Sequence, residues 1–347
     1  MHAHVALQRV RQIGPERRMR GLVGDQLGLG RQRQAREVLP VPQVTRGVET
    51  RGTPAGGPER IGARHLVEER AEAAPLVGAQ ALGALAIPGG GQDSPTRLAA
   101  MESLGATVLV CTPSYALHLL QIARERGIDA ARLPVRVTVH AGEPGAGIPA
   151  VRARIEEGWG ARAFDHAGMT EMGAYGYECQ AQAGLHVNES EFIAEVIDPG
   201  TGAASREGEL VLTNLGRLGS PLIRYRTGDR VRLADGPCAC GRTFVRLEGG
   251  ILGRLDDMLI VRGVNVFPSA IEAVVRRFPV EEFRIEVFRE GELDEVRLLL
   301  EVEGGEGGAR RVQEALRATL GIRLEVAPVD AGSLPRFELK ARRVVRR

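Results

Sequence analysis

The sequence predicts an α/β protein with a doubly wound, mostly parallel sheet, a β-rich segment and a small α+β domain at the C-terminus. Short apolar runs alternate with helical patterns from about residue 76, as in parallel sheets with helical crossovers. From Glu191 the pattern changes to strands separated by turns, and from about residue 255 helices return between strands. These changes divide the chain into three segments, 1–75, 76–253 and 254–347.

Ser94 as N-cap and Pro95 at the first helical position begin the first full helix. The elements that follow are the strand TVLVC, the helix YALHLLQIARERG, the strand RVTVH, the helix IPAVRARIEEGWG and the strand ARAFD. The β-rich segment contains the strands EFIAEVID, GELVLTN and LIRYRTGD.

In the small domain, Ser269 and Glu272 predict a capping box. The helix after it presents one apolar face, formed by Ile271, Val274, Val275 and Phe278. The pair FRIEVF and VRLLLEV, the helix RRVQEALRATL and the strand IRLEVAPV complete the domain.

Segment 1–75 differs from the rest because it contains no Phe, Tyr or Trp and no sustained apolar periodicity. The first of these aromatic residues in the chain is Tyr115. Gly, Pro, Arg and Gln dominate it. Two interpretations stay open: a flexible, disordered arm, or a non-native sequence without an evolved fold, such as an out-of-frame or wrongly started translation.

Composition excludes several classes of protein. A net charge of +2 gives no reason to expect a nucleic-acid or membrane partner. No segment approaches the roughly 20 apolar residues of a membrane helix, and the N-terminus lacks the apolar core of an export signal. Four cysteines in 347 residues do not make a disulfide scaffold. These observations predict a cytoplasmic protein.

Four motifs occur in an informative order along the chain. The motifs are HAGMTEMG (166–173), YRTGD (225–229), GRLDDMLIVRGVNVFPSAIE (253–272) and LPRFELKARR (334–343). Together they resemble the adenylate-forming superfamily, and GVNVFPSAIE with the cysteine-containing stretch before it resembles the phenylacetate–CoA ligase branch. The resemblance covers about 76–347 and implies a partial AMP-binding domain followed by a small mobile domain.

The resemblance implies that ATP activates a carboxylic acid, of an aromatic, phenylacetate-like kind, which then passes from AMP to CoA. It makes Thr170 an α-phosphate ligand, Glu171 a ligand of Mg²⁺, and Lys340 the catalytic cation between carboxylate and phosphate. Lys340 is the sole lysine among 46 basic residues. The alternatives are a helix-capping Thr170–Glu171 pair and a surface lysine in a basic tail.

Further nucleotide contacts follow from the same resemblance. Asp229 and Arg254 are the implied ribose ligands, and Asp256 is the implied hinge between the domains; for each, a charged turn is the alternative. In HAGEPGAG, the residues Gly142, Glu143 and Pro144 match the adenine-binding loop.

One position departs from the family pattern. Where the family commonly has a tyrosine that stacks on adenine, this chain has Ala167. His166 could supply the ring instead, with a core or capping histidine as the alternative.

A second departure concerns the Ser/Thr/Gly-rich loop that grips the β- and γ-phosphates in the family. It is not found, and PGGGQDSP (88–95) has the wrong order and place. An inactive, truncated remnant that binds nucleotide weakly or not at all is therefore the alternative function. Transfer to a carrier-protein thiol instead of CoA also stays open, and so does the oligomeric state, with a homodimer as one alternative.

Three cysteines and a histidine suit a structural zinc ion with tetrahedral coordination. Zinc would connect the loop after Thr170–Glu171 to the loop before the hinge; the alternative is four independent residues. Cys111, at the end of a strand, is predicted to be a small buried hydrophobe. The proposed ligands are Cys179, His186, Cys238 and Cys240.

Overall fold

A computed structural model describes residues 4–5, 78–261, 264–290, 293–337 and 340–347. For residues 4, 5, 289, 290, 293 and 294 it describes the backbone alone. Apart from His4–Val5, the predicted N-terminal arm (1–75) lies outside these residues. Within them, no helix has both the length and the apolar character needed to cross a membrane.

The helices and strands alternate as the fold class predicts. The helices are α1 (Ser94–Ser103), α2 (Pro113–Glu125), α3 (Pro149–Trp159), α4 (Pro268–Val275) and α5 (Gly305–Leu320). The first strands are β1 (His4–Val5), β2 (Val108–Cys111), β3 (Val137–His140), β4 (Arg162–Met169), β5 (Gly173–Glu178), β6 (Leu185–Val187), β7 (Phe192–Ile197), β8 (Glu207–Asn214) and β9 (Tyr225–Arg232). The remaining strands are β10 (Arg246–Leu247), β11 (Gly253–Arg254), β12 (Leu259–Val261), β13 (Val264–Val266), β14 (Val280–Glu290), β15 (Leu293–Val302), β16 (Glu325–Pro328) and β17 (Val344–Arg346).

The first sheet has the order β1-β2-β3-β4-β5-β6-β10. Strands β2, β3 and β4 are parallel and are joined through α2 and α3, whereas β5, β6 and β10 extend the sheet with antiparallel strands. Helices α1, α2 and α3 pack side by side, and the fully buried Tyr115 and Trp159 belong to the core beneath them. The predicted α/β class is confirmed.

The N-cap of α1 differs from the prediction by one residue. Asp93, rather than Ser94, has the extended backbone of an N-cap, and its Oδ1 accepts a hydrogen bond from the Thr96 amide at 2.8 Å. Ser94 lies within the helix, with its hydroxyl 2.9 Å from the Tyr115 hydroxyl. An aspartate directly before the serine caps the helix equally well, and the two cannot be distinguished by residue type.

The β-rich segment forms a second sheet of order β11-β9-β8-β7, and all of its pairings are antiparallel. In this sheet β11 brings Arg254 directly opposite Asp229 on β9. Two predicted ribose ligands that are distant in sequence therefore become neighbours across a strand pair.

The small domain packs α4 and α5 against a sheet of order β16-β15-β14-β17. The predicted apolar face of α4 is confirmed because Ile271, Val274 and Val275 are buried in this core. The capping box is wrong: α4 begins at Pro268 without a side-chain cap. The Ser269 hydroxyl instead donates to the Leu252 carbonyl at 2.6 Å, which ties α4 to the segment before the hinge.

Polar contacts join the small domain to α2 and α3. Arg124 of α2 pairs with Glu281 at 3.0 Å, and Arg154 of α3 donates to the Val280 carbonyl at 2.7 Å. Arg336, in the segment before Lys340, donates to the Gln121 side chain at 2.9 Å. The two domains therefore form a closed arrangement.

Candidate active site

The loop after β3 carries the predicted adenine-binding residues. The strand ends at His140, whose fully buried ring lies 3.1 Å from the Cys111 carbonyl and 2.8 Å from the Thr138 hydroxyl. Burial lowers the pKa of His140 to about 4, so its ring is neutral and structural. Two residues later Gly142 has a φ of +95°, a conformation that favours glycine.

Lys340 reaches this loop from the small domain. A methyl group at Gly142 would lie 3.2 Å from the Lys340 Cε atom, so glycine gives the lysine stem room to cross the loop. The Lys340 ammonium also acts to lower the pKa of Asp229, a predicted ribose ligand. We call the region between the Gly142 loop, Lys340 and Asp229 the candidate cleft.

Glu143 and Pro144 follow Gly142 in the half-buried part of the loop. The Glu143 carboxylate accepts hydrogen bonds from the backbone amides of Ser114, at 2.8 Å, and Ala341, at 2.7 Å. This carboxylate therefore faces α2 and the small domain, a contact that the sequence did not predict.

The predicted ribose ligands form a connected cluster. Arg254 Nη1 lies 3.5 Å from Asp229 Oδ1, and the Tyr175 hydroxyl donates to Asp229 Oδ2 at 3.4 Å. Burial raises the pKa of Asp229, and the Arg254 guanidinium opposes that shift. Arg254 also binds Asp256 through two nitrogens, at 2.8 and 3.1 Å. The cluster offers carboxylate acceptors and guanidinium donors that can bind vicinal hydroxyls.

Thr170 and Glu171 are exposed residues of the loop 170–172, which joins β4 to β5 as a β-hairpin and has Met172 buried. The helix-capping alternative for this pair is therefore wrong, because no helix begins at this turn. The Asn214 side chain donates to the Met172 carbonyl at 2.9 Å and holds the loop in place. A hydroxyl and a carboxylate are presented side by side.

His166 and Asp165 lie on β4 at the edge of the same cleft. Burial lowers the pKa of His166, which favours a neutral ring. The Asp165 Oδ2 atom would lie 3.0 Å from a methyl group at Gly147 and 2.8 Å from one at Gly250, so the carboxylate is enclosed by two glycine loops. Sequence analysis missed Asp165, although a carboxylate within a predicted strand and next to His166 was a usable signal.

A buried ion pair between Arg152 and Glu178 holds the loop after β3, the predicted adenine-binding loop, in place. Arg152 binds both oxygens of Glu178, at 2.8 and 2.9 Å, and its Nε donates to the Ala146 carbonyl at 2.7 Å. The same Glu178 accepts the Asp165 amide at 2.9 Å. Burial, followed by the nearby Glu178 charge, raises the pKa of Asp165 from 3.8 to about 7.

Asp165 makes the stability of the protein depend on pH. Its pKa is raised on folding, so the folded state retains a proton that the unfolded chain has lost between about pH 4 and pH 7. Stability from this residue therefore falls as pH rises through that interval. We expect Asp165→Asn to be more stable than the wild type at about pH 8, with a smaller gain at about pH 5, in urea unfolding.

Asp235→Asn, at an exposed carboxylate, is the control for this measurement and should give no comparable pH-dependent gain. A gain for Asp165→Asn that is the same at both pH values would contradict the raised pKa.

The cysteine cluster lies where the hairpin β5–β6 meets the loop before β10. Within the described residues, the ligand atoms of Cys179, His186, Cys238 and Cys240 all lie within 4.8 Å of one another. The Cys179 and Cys238 sulfurs are 3.6 Å apart, and the Cys240 sulfur is 3.5 Å from His186 Nε2. The four predicted residues are thus brought together from the β5–β6 hairpin, with His186 on β6 itself, and from the loop before β10.

These distances fit the proposed metal. Zinc–sulfur bonds of about 2.3 Å and zinc–nitrogen bonds of about 2.0 Å separate neighbouring ligand atoms of a tetrahedron by about 3.5–3.8 Å. His186 Nδ1 lies 3.4 Å from the Phe244 carbonyl, an outer partner of the kind that orients metal-binding histidines. Hydrogen bonding to the Arg242 amide lowers the pKa of Cys240 to about 6, which favours a thiolate.

Comparison with known proteins identifies the relatives of this chain. A family profile for the AMP-binding enzyme C-terminal domain matches residues 263–347. Phenylacetate-coenzyme A ligases of Thermus thermophilus and Escherichia coli are 37% and 34% identical to this chain over 77% of its length. The chain belongs to the adenylate-forming superfamily. It spans 66% and 64% of these two relatives, which is less than two thirds of their length.

One solved adenylate-forming enzyme has been determined in two states, which this chain matches to different extents. The structure of 2-hydroxyisobutyryl-CoA ligase in the postadenylation state, with an acyl-AMP bound, superposes with a TM-score of 0.73 and 33% identity. The same ligase in the thioesterification state gives 0.52. Both matches cover 78% of this chain, and they cover 62% and 61% of the ligase respectively. The closed arrangement around Lys340 therefore resembles the postadenylation state.

Proposed function

We propose that this adenylate-forming protein activates a carboxylic acid with ATP and then transfers the acyl group to CoA. The observation that carries the proposal is the convergence of Lys340, the Gly142 loop and the Asp229–Arg254 pair on one cleft. Each comes from a different sequence motif, and each supplies a group that the reaction needs. Because the reaction consumes ATP and CoA, the cytoplasm stays the predicted location.

In the first half-reaction a carboxylate oxygen of the acid attacks the α-phosphorus of ATP, and the bond to pyrophosphate breaks. Lys340 would stabilise the negative charge that builds on the α-phosphate and carboxylate oxygens. Thr170, which is exposed in the loop 170–172, would bind the α-phosphate. Glu171, an exposed carboxylate on the same loop, is the residue that would hold Mg²⁺, which neutralises phosphate charge.

The nucleoside would be held by groups on both sides of the cleft. Asp229 would accept hydrogen bonds from the ribose hydroxyls, and Arg254 would donate to the same sugar. Gly142 and Pro144 would line the adenine through backbone contacts, and the neutral ring of His166 would lie beside it. Glu143 remains part of this loop, although its carboxylate already binds two backbone amides.

In the second half-reaction the CoA sulfur attacks the acyl carbonyl, the thiol loses its proton, and AMP leaves. The small domain must move for this step, and Asp256 is the proposed hinge. Its short 3₁₀ segment, Leu255–Asp257, lies between the Arg254 strand and the small domain. None of its three residues is buried, so a change in its backbone dihedrals would disturb little packing.

We propose an aromatic acid as substrate, because the relatives above are phenylacetate ligases. The test is ATP–pyrophosphate exchange with phenylacetate, benzoate, anthranilate and 2-hydroxyisobutyrate, followed by CoA or a carrier-protein thiol as acceptor. Exchange with an aryl acid and a thioester with CoA are expected. Exchange with no acid would instead support the alternative of nucleotide binding without turnover.

We further propose that Cys179, His186, Cys238 and Cys240 hold a structural zinc ion. All four positions are occupied by protein ligands, so zinc would stabilise the fold and leave no open position for catalysis. It would tie the β5–β6 hairpin to the loop before β10, close to the buried Glu178 that supports the nucleotide loop.

A further inference from the structure

The Glu143 carboxylate lies between the two domains. Its Oε1 accepts the Ser114 amide at 2.8 Å, and its Oε2 accepts the Ala341 amide at 2.7 Å. Ser114 lies in the first turn of α2, where unpaired amides and the helix dipole favour a negative charge. One side chain therefore connects the start of a large-domain helix to the segment that carries Lys340.

The contact with Ala341 restrains Lys340 directly, because the amide of Ala341 belongs to the peptide bond that Lys340 forms. Holding this peptide places the start of the lysine side chain above the Gly142 loop, where its Cε lies 3.2 Å from a methyl group built on Gly142. A long flexible side chain can act as a point charge when its backbone is held in this way.

Arg343 strengthens the same connection. Its Nη1 lies 3.1 Å from the Ser114 hydroxyl, and its Nε binds Glu282 of the small domain at 2.7 Å. The positive charge of Arg343 acts on the buried Glu143 carboxylate and favours its ionised form, although burial raises its pKa overall. In the closed arrangement the Glu143 carboxylate is thus held in place to accept the hydrogen bond from the Ala341 amide of the small domain.

We propose that Glu143 is a positioning residue that holds the Lys340 segment in the adenylation arrangement and releases Ala341 when the small domain moves. The proposal rests on the proposed function, because it assigns Glu143 to the first half-reaction. It departs from the adenine-contact role that the family resemblance implies for this glutamate. Lys340 remains the catalytic residue, and Glu143 acts through it.

The sole lysine of the chain allows a test that needs no catalysis. A lysine-specific endoprotease can cut the full chain at one peptide bond, Lys340–Ala341, and mass spectrometry follows the loss of the last residues. We expect Glu143→Ala to be cut roughly tenfold faster than the wild type, the factor that corresponds to losing one charge-assisted hydrogen bond. Glu143→Gln, which keeps one acceptor oxygen, should be intermediate.

Glu102→Ala, at an exposed glutamate on α1, is the matched control and should be cut at the wild-type rate. Cleavage at the many arginines by an arginine-specific protease reports global unfolding, and it should not accelerate in Glu143→Gln. Wild-type cleavage at Lys340–Ala341 in both Glu143 variants would overturn the proposal. General acceleration at the arginine sites would overturn it too, because Glu143 would then be a residue for overall stability.

The two half-reactions give a second readout. Glu143→Ala should lower ATP–pyrophosphate exchange roughly tenfold, a larger loss than in thioester formation from a preformed acyl-adenylate and CoA, and Glu143→Gln should lower exchange less. Equal losses in both half-reactions would overturn a positioning role. A wild-type chain without exchange would contradict the proposed function, while the protease experiment would still test the contact with Ala341.

Discussion

Replacement of Lys340 by alanine is expected to lower ATP–pyrophosphate exchange by about a hundredfold or more, the range observed when one electrostatic partner of a transition state is removed. The reason is geometric as well as electrostatic. Lys340 lies across Gly142 and acts on the charge of Asp229, so its ammonium is a positive charge that the small domain would bring to the proposed nucleotide cleft. Its effect on thioester formation from a preformed adenylate should be small.

Arg342→Ala is the matched control, because Arg342 is an exposed cation in the same C-terminal segment. It should leave exchange unchanged if the position of the charge matters and the general basicity of the tail does not. Normal exchange by Lys340→Ala would remove the residue from its proposed catalytic role.

The chain spans less than two thirds of its curated relatives, so a second form of the experiment is useful. A fusion to the part of a relative that the match does not cover should raise exchange, and Lys340→Ala in that fusion should abolish the gain.

The second large effect concerns the cysteine cluster. We expect the purified protein to contain zinc in a stoichiometric amount, and Cys238→Ser to lose it. Structural zinc contributes on the order of 10 kcal/mol in small peptides, so loss of one ligand should lower the unfolding temperature by about 10 °C or more. Metal analysis combined with thermal unfolding measures both results.

Cys111→Ser is the control, because Cys111 is equally buried but lies outside the cluster, at the end of β2. It should keep the zinc content of the wild type. A protein purified without zinc, or a Cys238→Ser variant with full zinc content, would contradict the proposed metal site. A chelator should reproduce the loss of stability in the wild type and have little effect on Cys238→Ser.

Several local predictions from the sequence were close to the structure but wrong in detail. Asp93 caps α1 in place of Ser94, and Ser269 binds the Leu252 carbonyl instead of forming a capping box with Glu272. In both cases the residue type was suitable for the predicted cap. The position of nearby backbone groups determined which hydrogen bond each side chain formed, and that position cannot be read from a short stretch of sequence.

The sequence by itself determined the α/β class, the apolar face of α4, the four motifs and the four residues of the cysteine cluster. These features depend on residue type and short-range periodicity, which a chain carries before it folds. Tertiary structure alone decided that Glu143 faces Ala341, 198 residues further along the chain, and that Asp165 has a pKa near 7. The Glu143–Ala341 contact arises only when the two domains pack together, and the Asp165 shift comes from burial beside Glu178 within the large domain.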